Sequence, residues 1–435
     1  MISQLKLHHI GPVSDLTAEF GERLNIITGD NGLGKTFLLD ACWYALTRTW
    51  AGGDERVFYP SANSPKSSAP TMDYSVIGKT GKPADNRAEF QFKNQIWKLR
   101  QAHPAMPGLV IYARIDGGFS VWDPARNYSA GLSGVPHDGA PAFLFSADEV
   151  WRGNEYCKGL IDDWALWQAG NSHSFQVLTK VLDTLSPSPT ERLIPGELRK
   201  LTVKDPQRYP TLRMPYGEDV AVIHASAGMR RIIALAYLLT WAWQEHVESA
   251  KLQGQKPTRE IVFLIDEVEG HLHPQWQRRI VPALLKVMDA LTGRHGSKVQ
   301  LLVSTHAPLV LASVEPSFSS DEDAWFDLDL EQQRVVLRRR PYIRHGEVGN
   351  WLVSDAFDLK EPRSFEGEQA IEAAQALLDA SAPSDKEIAE ADQRLRKAGL
   401  PDLDPFWVRW GYFMEQHKAP AKKGPTTSPG KRRKS

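Results

Sequence analysis

An eight-residue segment near the N-terminus, GDNGLGKT (29–36), constrains the fold of this chain more than any other feature. It fits G-x-x-x-x-G-K-[ST] and lies between an apolar run, Leu24–Thr28, and a stretch with apolar residues at helical spacing. Glycines let backbone N–H groups converge on phosphate oxygens without a clash at Cβ, and the helix that follows directs its positive end at the same phosphate. The segment therefore predicts a strand, a phosphate-binding loop and a helix.

The residues of this loop have distinct predicted roles. Lys35 is expected to reach the β- and γ-phosphates of a nucleotide, and the Thr36 hydroxyl is expected to coordinate Mg²⁺. A chance glycine-rich turn is the alternative, which the flanking strand and helix patterns disfavour. The remaining residues predicted to surround the phosphates are Gly29, Asp30, Asn31, Gly32, Leu33 and Gly34.

A pair of carboxylates follows a second apolar run. Ile261–Ile265 is typical of a parallel strand buried on both faces, and its carboxyl end lies at the ligand edge of an α/β sheet. We expect Asp266 to hold Mg²⁺, directly or through water, and Glu267 to polarise the attacking water as general base. The alternative is an acidic cap of a following helix.

Two shorter features lie at comparable positions. The signature segment, Ser226–Arg230, fits S-x-G-x-[RK] and opens a long apolar helix, so the Ser226 hydroxyl and the Gly228 N–H are predicted to contact a γ-phosphate. The alternative for Ser226 is a plain helix N-cap. His306 follows the apolar strand Val299–Ser304 and is predicted to contact the γ-phosphate; otherwise it is an ordinary hydrogen-bonded histidine.

The order of these motifs resembles the ABC-type ATPase head, and more narrowly the SMC/RecF/OLD branch of AAA-labelled ATP-binding proteins. Asp266–Pro274 (DEVEGHLHP) and Ser304–Pro308 (STHAP) carry the narrower resemblance. The resemblance covers residues 1–50 and 220–315 through their motifs, whereas it covers residues 50–220 only because they lie between these two segments. The resemblance implies an α/β P-loop head with a parallel-core sheet, an antiparallel β lobe, an inserted β/α region and a small helical C-terminus.

The resemblance also implies ATP and Mg²⁺ as ligands, ATP hydrolysis and a head-to-tail dimer. Each nucleotide would lie between Lys35 and Glu267 of one chain and Ser226 of the other, and a higher oligomer stays open. Stand-alone heads of this kind resemble the ATPase components of bacterial antiphage systems such as Septu or PARIS, which control a separate effector, often a nuclease or a toxin. The alternatives are a RecF-like DNA-repair ATPase that acts on DNA and an ATP-gated scaffold with little turnover.

Some features depart from the family pattern. A Q-loop glutamine is not evident; Pro141–Trp151 stands at its expected place, and Gln168 is a distant candidate. The absence of a long coiled coil disfavours arm-bearing machines, and the β-rich insertion disfavours transporter ATPases. His271 and His273 could instead be ligands of zinc or manganese; the other interpretation is that they belong to a loop at the dimer interface, as the resemblance implies. Asp327–Asp329 lacks the preceding strand and glutamate of a TOPRIM nuclease, so no nuclease is predicted.

These patterns predict a head over 1–315, with a phosphate-loop half (1–50), an inserted region (51–220) and a half carrying the signature, Asp-Glu and histidine motifs (221–315). A β-then-helical region (316–417), predicted to be helical over 365–415, and a disordered basic tail (418–435) follow. A basic cluster either contacts phosphates or protects a strand edge by its charge; its members are Arg334, Arg338, Arg339, Arg340, Arg344 and His345.

Local patterns divide the inserted region further. Residues 51–85, rich in Gly, Ser, Pro and Asn, are expected to form a loop or a partly mobile insertion. Alternation of apolar and polar residues predicts hairpins that turn at Asn94–Gln95 and Asp116–Gly118, and Gly159–Ser186 is expected to be helical.

Composition narrows the class of protein. The chain has 435 residues and a net charge of −1, so no whole-chain basic field for nucleic acid exists, although a local patch stays open. Two cysteines, Cys42 and Cys157, indicate a reducing cytoplasm. No signal peptide is expected, and the longest apolar stretch, Ile232–Trp243, is too short to span a bilayer. Membrane channels, disulfide-rich secreted proteins and coiled-coil rods are therefore disfavoured.

Overall fold

The structure is a computed structural model that describes residues 1–53, 57–60, 69–78, 81–99, 106–127, 141–292, 298–357, 359–380 and 382–417. The chain divides into two compact units, Met1–Phe357 and Asp358–Ser435. The strands are β1 (Ile2–Ile10), β2 (Val13–Glu19), β3 (Leu24–Gly29), β4 (Thr71–Ile77), β5 (Pro83–Gln91), β6 (Ile96–Leu99), β7 (Leu109–Ala113), β8 (Phe119–Trp122), β9 (Phe143–Phe145), β10 (Ile194–Pro195), β11 (Thr211–Arg213), β12 (Asp219–Ala221), β13 (Glu260–Ile265), β14 (Lys298–Ser304), β15 (Asp323–Glu331) and β16 (Arg334–Arg340). The α-helices are α1 (Lys35–Thr47), α2 (Ala147–Arg152), α3 (Leu160–Ala169), α4 (His173–Thr184), α5 (Ala227–Leu252), α6 (Pro274–Gln277), α7 (Ile280–Thr292), α8 (Pro308–Val314), α9 (Val348–Leu352), α10 (Phe365–Leu378), α11 (Asp385–Lys397) and α12 (Phe406–His417).

The main sheet has the order β16-β15-β3-β14-β13-β7-β8-β9. Strands β15, β3, β14, β13 and β7 are parallel, whereas β16, β8 and β9 are added antiparallel at the two edges. The central strands are apolar and buried on both faces, as expected for parallel strands covered by helices. The register pairs Ile265 with Val303, and Ile27 with Ser304, so the carboxyl ends of β3, β13 and β14 meet at one edge.

An antiparallel sheet of order β2-β1-β4-β5-β6 forms the second lobe. Helix α1 contacts strands of both sheets, and nearly all of its side chains are buried, as the apolar run Ala41–Leu46 on a helix packed from several sides requires. Leu5, Leu38 and Leu302 belong to the resulting core. The expected fold class, an α/β P-loop head with a parallel core and an antiparallel lobe, is confirmed.

The opposite face of the main sheet is covered by α5, which packs with α3, α4 and α7.

The expected hairpins around Asn94 and Gly117 are present. The helix expected over Gly159–Ser186 is two helices, α3 and α4, because Gly170 ends the first and the Ser172 hydroxyl caps the second.

The interpretation of 51–85 as a loop is wrong for its second half, where β4 pairs antiparallel with β1 and β5. The sequence of β4, TMDYSVI, buries Met72 and Tyr74 on one face, a strand periodicity that the neighbouring Ser- and Pro-rich residues obscured. Within the described ranges, no helix is long and apolar enough to cross a membrane.

The expected boundary at residue 315 would cut through the main sheet, because β15 pairs in parallel with β3. The buried Asp323 carboxylate accepts hydrogen bonds from the Leu24 N–H (3.1 Å) and the Ser319 N–H (2.8 Å), and it pairs with the Arg23 guanidinium at 2.5 Å. This hydrogen bonding raises the pKa of Arg23. The first unit accordingly continues to Phe357.

The second unit contains α10, α11 and α12, which confirms the helical expectation for 365–415. Ile371, Leu395 and Trp410 belong to its own apolar core, and the Ser384–Glu387 capping box starts α11. The predicted disordered tail, 418–435, lies outside the described residues.

Removing the Asp323 carboxylate tests the parallel pairing of β15 with β3. Asp323→Ala leaves the buried Leu24 N–H without its acceptor and Arg23 without its ion pair, so we expect the free energy of unfolding to fall by about 2–3 kcal/mol. Urea titration followed by circular dichroism measures this change. Asp321→Ala, which removes an exposed carboxylate, should stay within about 0.5 kcal/mol of wild type. Equal stabilities of the two variants would contradict the assigned role of Asp323.

Candidate functional site

The phosphate-binding loop leaves the carboxyl end of β3 and turns directly into α1. Gly29, Gly32 and Gly34 have φ values of 133°, 81° and 100°, a region that favours glycine. The side chain of Lys35 is buried, and its ammonium donates hydrogen bonds to the carbonyl oxygens of Gly29 (2.8 Å) and Asp30 (2.9 Å). The structure thus holds the lysine across the loop that the sequence predicted.

The rest of the loop divides by exposure. Asp30, Asn31 and Gly32 are exposed at its outer turn, whereas the Leu33 side chain is buried in the core below. Burial lowers the pKa of Lys35, and the negative charge of Glu267 opposes that shift. The loop therefore exposes its outer turn, while the buried ammonium of Lys35 lies beneath it and Leu33 anchors it in the core.

Asp266 lies at the centre of the candidate site. Its carboxylate is 1 % exposed and accepts two short hydrogen bonds, from Thr36 Oγ1 to Oδ2 and from Ser304 Oγ to Oδ1, each of 2.6 Å. Three segments distant in sequence are thereby joined. A hydroxyl and a carboxylate that converge in this way are oxygen donors of the kind that Mg²⁺ prefers, so the residues present fit the predicted metal.

Glu267 and His306 face each other beside this carboxylate. Glu267 Oε1 lies 3.5 Å from His306 Nε2, and each side chain is about one-third exposed (33 % and 31 %). The Glu267 N–H donates to Ser304 Oγ at 2.7 Å. Glu267 has φ of 47°, a left-handed conformation that strains the backbone of a non-glycine residue, and strained residues of this kind cluster at active sites. Ser304 links the Asp266 carboxylate to the backbone N–H of Glu267, a role that the sequence analysis missed.

Arg231 is a second contributor that the motifs did not reveal. It lies on α5, and its Nη2 donates to the carbonyl oxygens of Asp266 (2.7 Å) and Glu267 (2.9 Å). Burial lowers the pKa of the Arg231 guanidinium. The only local signal was a second arginine directly after the signature segment.

The signature segment occupies the start of α5. Ser226 is exposed and caps the helix, with its Oγ accepting from the Met229 N–H at 3.4 Å. Gly228 is buried, and a Cβ built there would lie 2.6 Å from the carbonyl oxygen of His271. The N-cap role of Ser226 is therefore present within one chain, and contact with a γ-phosphate stays a prediction for both residues.

The Q-loop assignment stays a prediction. Strand β7 lies beside β13 in parallel, and its last residue, Ala113, accepts from the Asp266 N–H at 3.0 Å. Arg114 and Asp116 follow at this edge. Gln168 lies on α3, where its amide bonds Trp164 Nε1 (3.0 Å) and the Gly196 carbonyl (2.7 Å). The segment Pro141–Trp151 forms β9 and α2 at the far edge of the sheet.

The other candidate sites gain little support. Within the described residues, no group of three His, Cys, Asp or Glu side chains is arranged to hold a metal, and His273 caps α6 through Nδ1 (3.4 Å from the Gln275 nitrogen).

In the basic cluster, Arg338 pairs with Glu331, and Arg340 pairs with Asp327 at 3.1 Å. These contacts favour a charged strand edge.

The site combines a glycine loop and a buried lysine after β3, a carboxylate pair after β13, and a histidine after β14, the strand between them. This combination defines a P-loop ATP-binding head of the ABC type. Two family models match the chain: an "AAA domain" over residues 4–101 and an "AAA domain, putative AbiEii toxin, Type IV TA system" over 161–312. The resemblance to AAA-labelled ATP-binding proteins is confirmed.

Among relatives, the chain is similar to the Septu protein PtuA of Bacillus thuringiensis, at 22% identity over 84% of this chain and 86% of that protein. It is 33% identical over 98 residues to the Retron Vc95 probable ATPase of Vibrio cholerae serotype O1 biovar El Tor, which covers 22% of this chain and 17% of that protein. The Septu match confirms the similarity that the motifs indicated.

Two solved structures can be set beside the chain. The SMC head domain from Thermotoga maritima aligns at 14% identity and a TM-score of 0.40, over 78% of this chain and 99% of that one. The recombination mediator RecF with ATP aligns at 12% identity and a TM-score of 0.37, over 78% and 97%. The assignment of the fold here rests on the strand order and the loop geometry.

Lys35→Ala tests the phosphate-binding loop. Without its ammonium, the loop loses a charge-assisted contact to phosphate, and we expect the affinity for Mg-ATP to fall at least ~100-fold. Isothermal titration calorimetry measures the affinity directly. Lys93→Ala, at an exposed hairpin turn, should bind as the wild type does. Unchanged affinity of Lys35→Ala would remove the loop from nucleotide binding.

Proposed function

We propose that this chain hydrolyses ATP with Mg²⁺. The observation that carries the proposal is the bonded set around Asp266: Thr36 and Ser304 hold its carboxylate, and Ser304 also holds the N–H of Glu267. These bonds bring the proposed metal ligands, the proposed general base and the phosphate loop together at one edge of the sheet. A Mg²⁺ ion bound there would neutralise charge on the transferred phosphoryl group.

The side chains of the site support distinct tasks. Lys35 binds phosphate oxygens, Thr36 and Asp266 offer oxygen ligands, and Glu267 orients water and accepts its proton. In this proposal His306 contacts the γ-phosphate and restricts the rotamer of the base, and the 3.5 Å separation of its Nε2 from Glu267 Oε1 supports that role. Catalysis of this kind depends mainly on positioning and electrostatics, which the buried hydrogen bonds around Asp266 support.

We further propose a head-to-tail dimer with composite sites. Ser226 is exposed at the N-terminus of a 26-residue helix, where a serine hydroxyl and the helix dipole favour an anion. In the proposed dimer, Ser226 and Gly228 of one chain contact the γ-phosphate held by Lys35 of the other. Nucleotide binding then changes the assembly and not only the single chain.

The biological role that we propose is control of a separate effector protein, such as a nuclease or toxin, in bacterial antiphage defence. Similarity to the Septu protein PtuA over most of both chains supports this role. A RecF-like role in DNA repair is the alternative, and DNA-stimulated turnover by the chain alone would favour it. Capture of a stoichiometric nuclease or toxin by tagged protein in Mg-ATP would favour effector control.

Glu267→Gln separates hydrolysis from binding. The amide keeps the shape of the side chain but cannot accept the proton of water, so we expect turnover to fall by ~10²–10⁴ while ATP affinity is retained. Phosphate release measures turnover, and calorimetry measures binding. Turnover equal to that of the wild type would exclude Glu267 as the base. Wild-type turnover as low as that of Glu267→Gln would instead favour the ATP-gated scaffold.

Mixing two inactive variants tests the composite sites. Lys35→Ala removes phosphate binding in one chain, and Ser226→Arg blocks the surface that the partner's nucleotide would contact. A mixed dimer contains one site in which both defects coincide and one site with neither, so we expect the mixture to regain turnover. The measurement is phosphate release by the mixture and by each variant alone. Failure to regain turnover, with both variants folded, would contradict assembly in trans.

A further inference from the structure

A tight turn follows Asp266 and Glu267 and brings a third carboxylate, that of Glu269, back to the site. The Glu267 carbonyl accepts from the Gly270 N–H at 2.8 Å, and the Val268 N–H donates to the Ser304 carbonyl at 3.1 Å. Because of this turn, Glu269 Oε1 accepts a hydrogen bond from the backbone N–H of His306. Glu269 is thus bonded to the histidine segment although it belongs to the Asp-Glu segment.

Arg231 holds the other side of the same turn. It donates to the carbonyls of Asp266 and Glu267, at 2.7 and 2.9 Å. A Cβ built at Gly270 would lie 3.0 Å from Arg231 Nη1, so the turn packs closely on the guanidinium. Of the nearby carboxylates, Glu269 has the largest favourable electrostatic effect on Arg231, and it opposes the lowering of the Arg231 pKa by burial.

These contacts restrain both partners of the contact between Glu267 and His306. Glu267 keeps a left-handed backbone, with φ of 47°, while Arg231 binds its carbonyl and Ser304 binds its N–H. The backbone of His306 is held by the bond from its N–H to Glu269. Loss of either restraint would let the 3.5 Å separation of Oε1 and Nε2 change.

Burying the charges of Arg231 and Glu269 costs free energy, so their presence here is not explained by packing alone. Charged groups removed from water destabilise a protein unless they are paired and hydrogen-bonded, and apolar residues of similar volume are often as good for stability. Glu269 Oε2 is buried and makes no hydrogen bond to any residue that the structure describes. An incompletely satisfied carboxylate next to a bonded arginine is better explained by positioning than by stability.

We propose that Arg231 and Glu269 are positioning residues that set the distance between Glu267 and His306 and connect the helix opened by Ser226 to hydrolysis. The inference rests on the proposed ATP hydrolysis. Arg231 lies five residues after Ser226 on α5, so movement of this helix on contact with a partner's nucleotide would be transmitted to the Glu267 carbonyl. Assembly and hydrolysis would thereby be coupled without contact of Arg231 or Glu269 with the nucleotide.

The test compares conservative and disruptive variants at both positions. Arg231→Lys keeps a cation that reaches a carbonyl, whereas Arg231→Met keeps only the stem. Glu269→Gln keeps an acceptor for the His306 N–H, whereas Glu269→Ala removes it. Lys251→Met, at an exposed position near the end of α5, is the matched control for loss of a positive charge.

We expect Arg231→Met and Glu269→Ala to lower kcat by ~10–100-fold while the Kd for Mg-ATP stays within about threefold of wild type. Arg231→Lys and Glu269→Gln should recover at least part of kcat, and Lys251→Met should keep all of it. Wild-type kcat in both disruptive variants would overturn the proposal, and so would equal losses in kcat and affinity.

Hydrogen exchange of the nucleotide-free chain provides a readout independent of turnover. Mass spectrometry should show faster exchange of the His306 amide in Glu269→Ala than in wild type and Glu269→Gln, because only the alanine variant lacks the acceptor. Unchanged exchange in Glu269→Ala would overturn the inference. If wild type binds ATP without hydrolysing it, the proposed function fails, while the exchange experiment still tests whether Glu269 holds the histidine segment.

Discussion

The candidate site depends on one buried carboxylate. Asp266 accepts hydrogen bonds from Thr36 and Ser304, both at 2.6 Å, and so connects the start of α1 with the ends of β13 and β14. A carboxylate that is 1 % exposed is tolerated only when it is hydrogen-bonded, so each hydroxyl stabilises the arrangement that it helps to form. The same carboxylate fixes where a metal would bind relative to the phosphate loop.

The sheet determines which residues can join this arrangement. Parallel pairing brings the carboxyl ends of β3, β14 and β13 to one edge, and the antiparallel lobe buries the outer face of α1. The strained backbone of Glu267 persists because Ser304, Arg231 and the Gly270 N–H hold its peptide groups. Rigid strands and bonded turns therefore supply the positioning that phosphoryl transfer requires.

Local patterns were sufficient to predict the phosphate loop, the Asp266–Glu267 pair, the cap at Ser226 and the two hairpins, because each depends on neighbouring residues. The pairing of β15 with β3 was not predictable, since it joins residues about 300 positions apart and leaves only a generic β pattern. The contacts of Ser304, Arg231 and Glu269 were not predictable for the same reason: they follow from sheet register and from a turn. Residue type alone made Gln168 a Q-loop candidate, and its amide is bonded to Trp164 and Gly196.

We propose that the residues around Asp266 form a Mg²⁺-dependent ATP-hydrolysing site. Single-turnover phosphate release, with the wild-type chain in excess over radiolabelled ATP, measures this activity. We expect phosphate release that exceeds the protein-free rate and disappears when Mg²⁺ is removed by a chelator. ATP that stays bound but intact in Mg²⁺, with release no faster than in buffer alone, would contradict it.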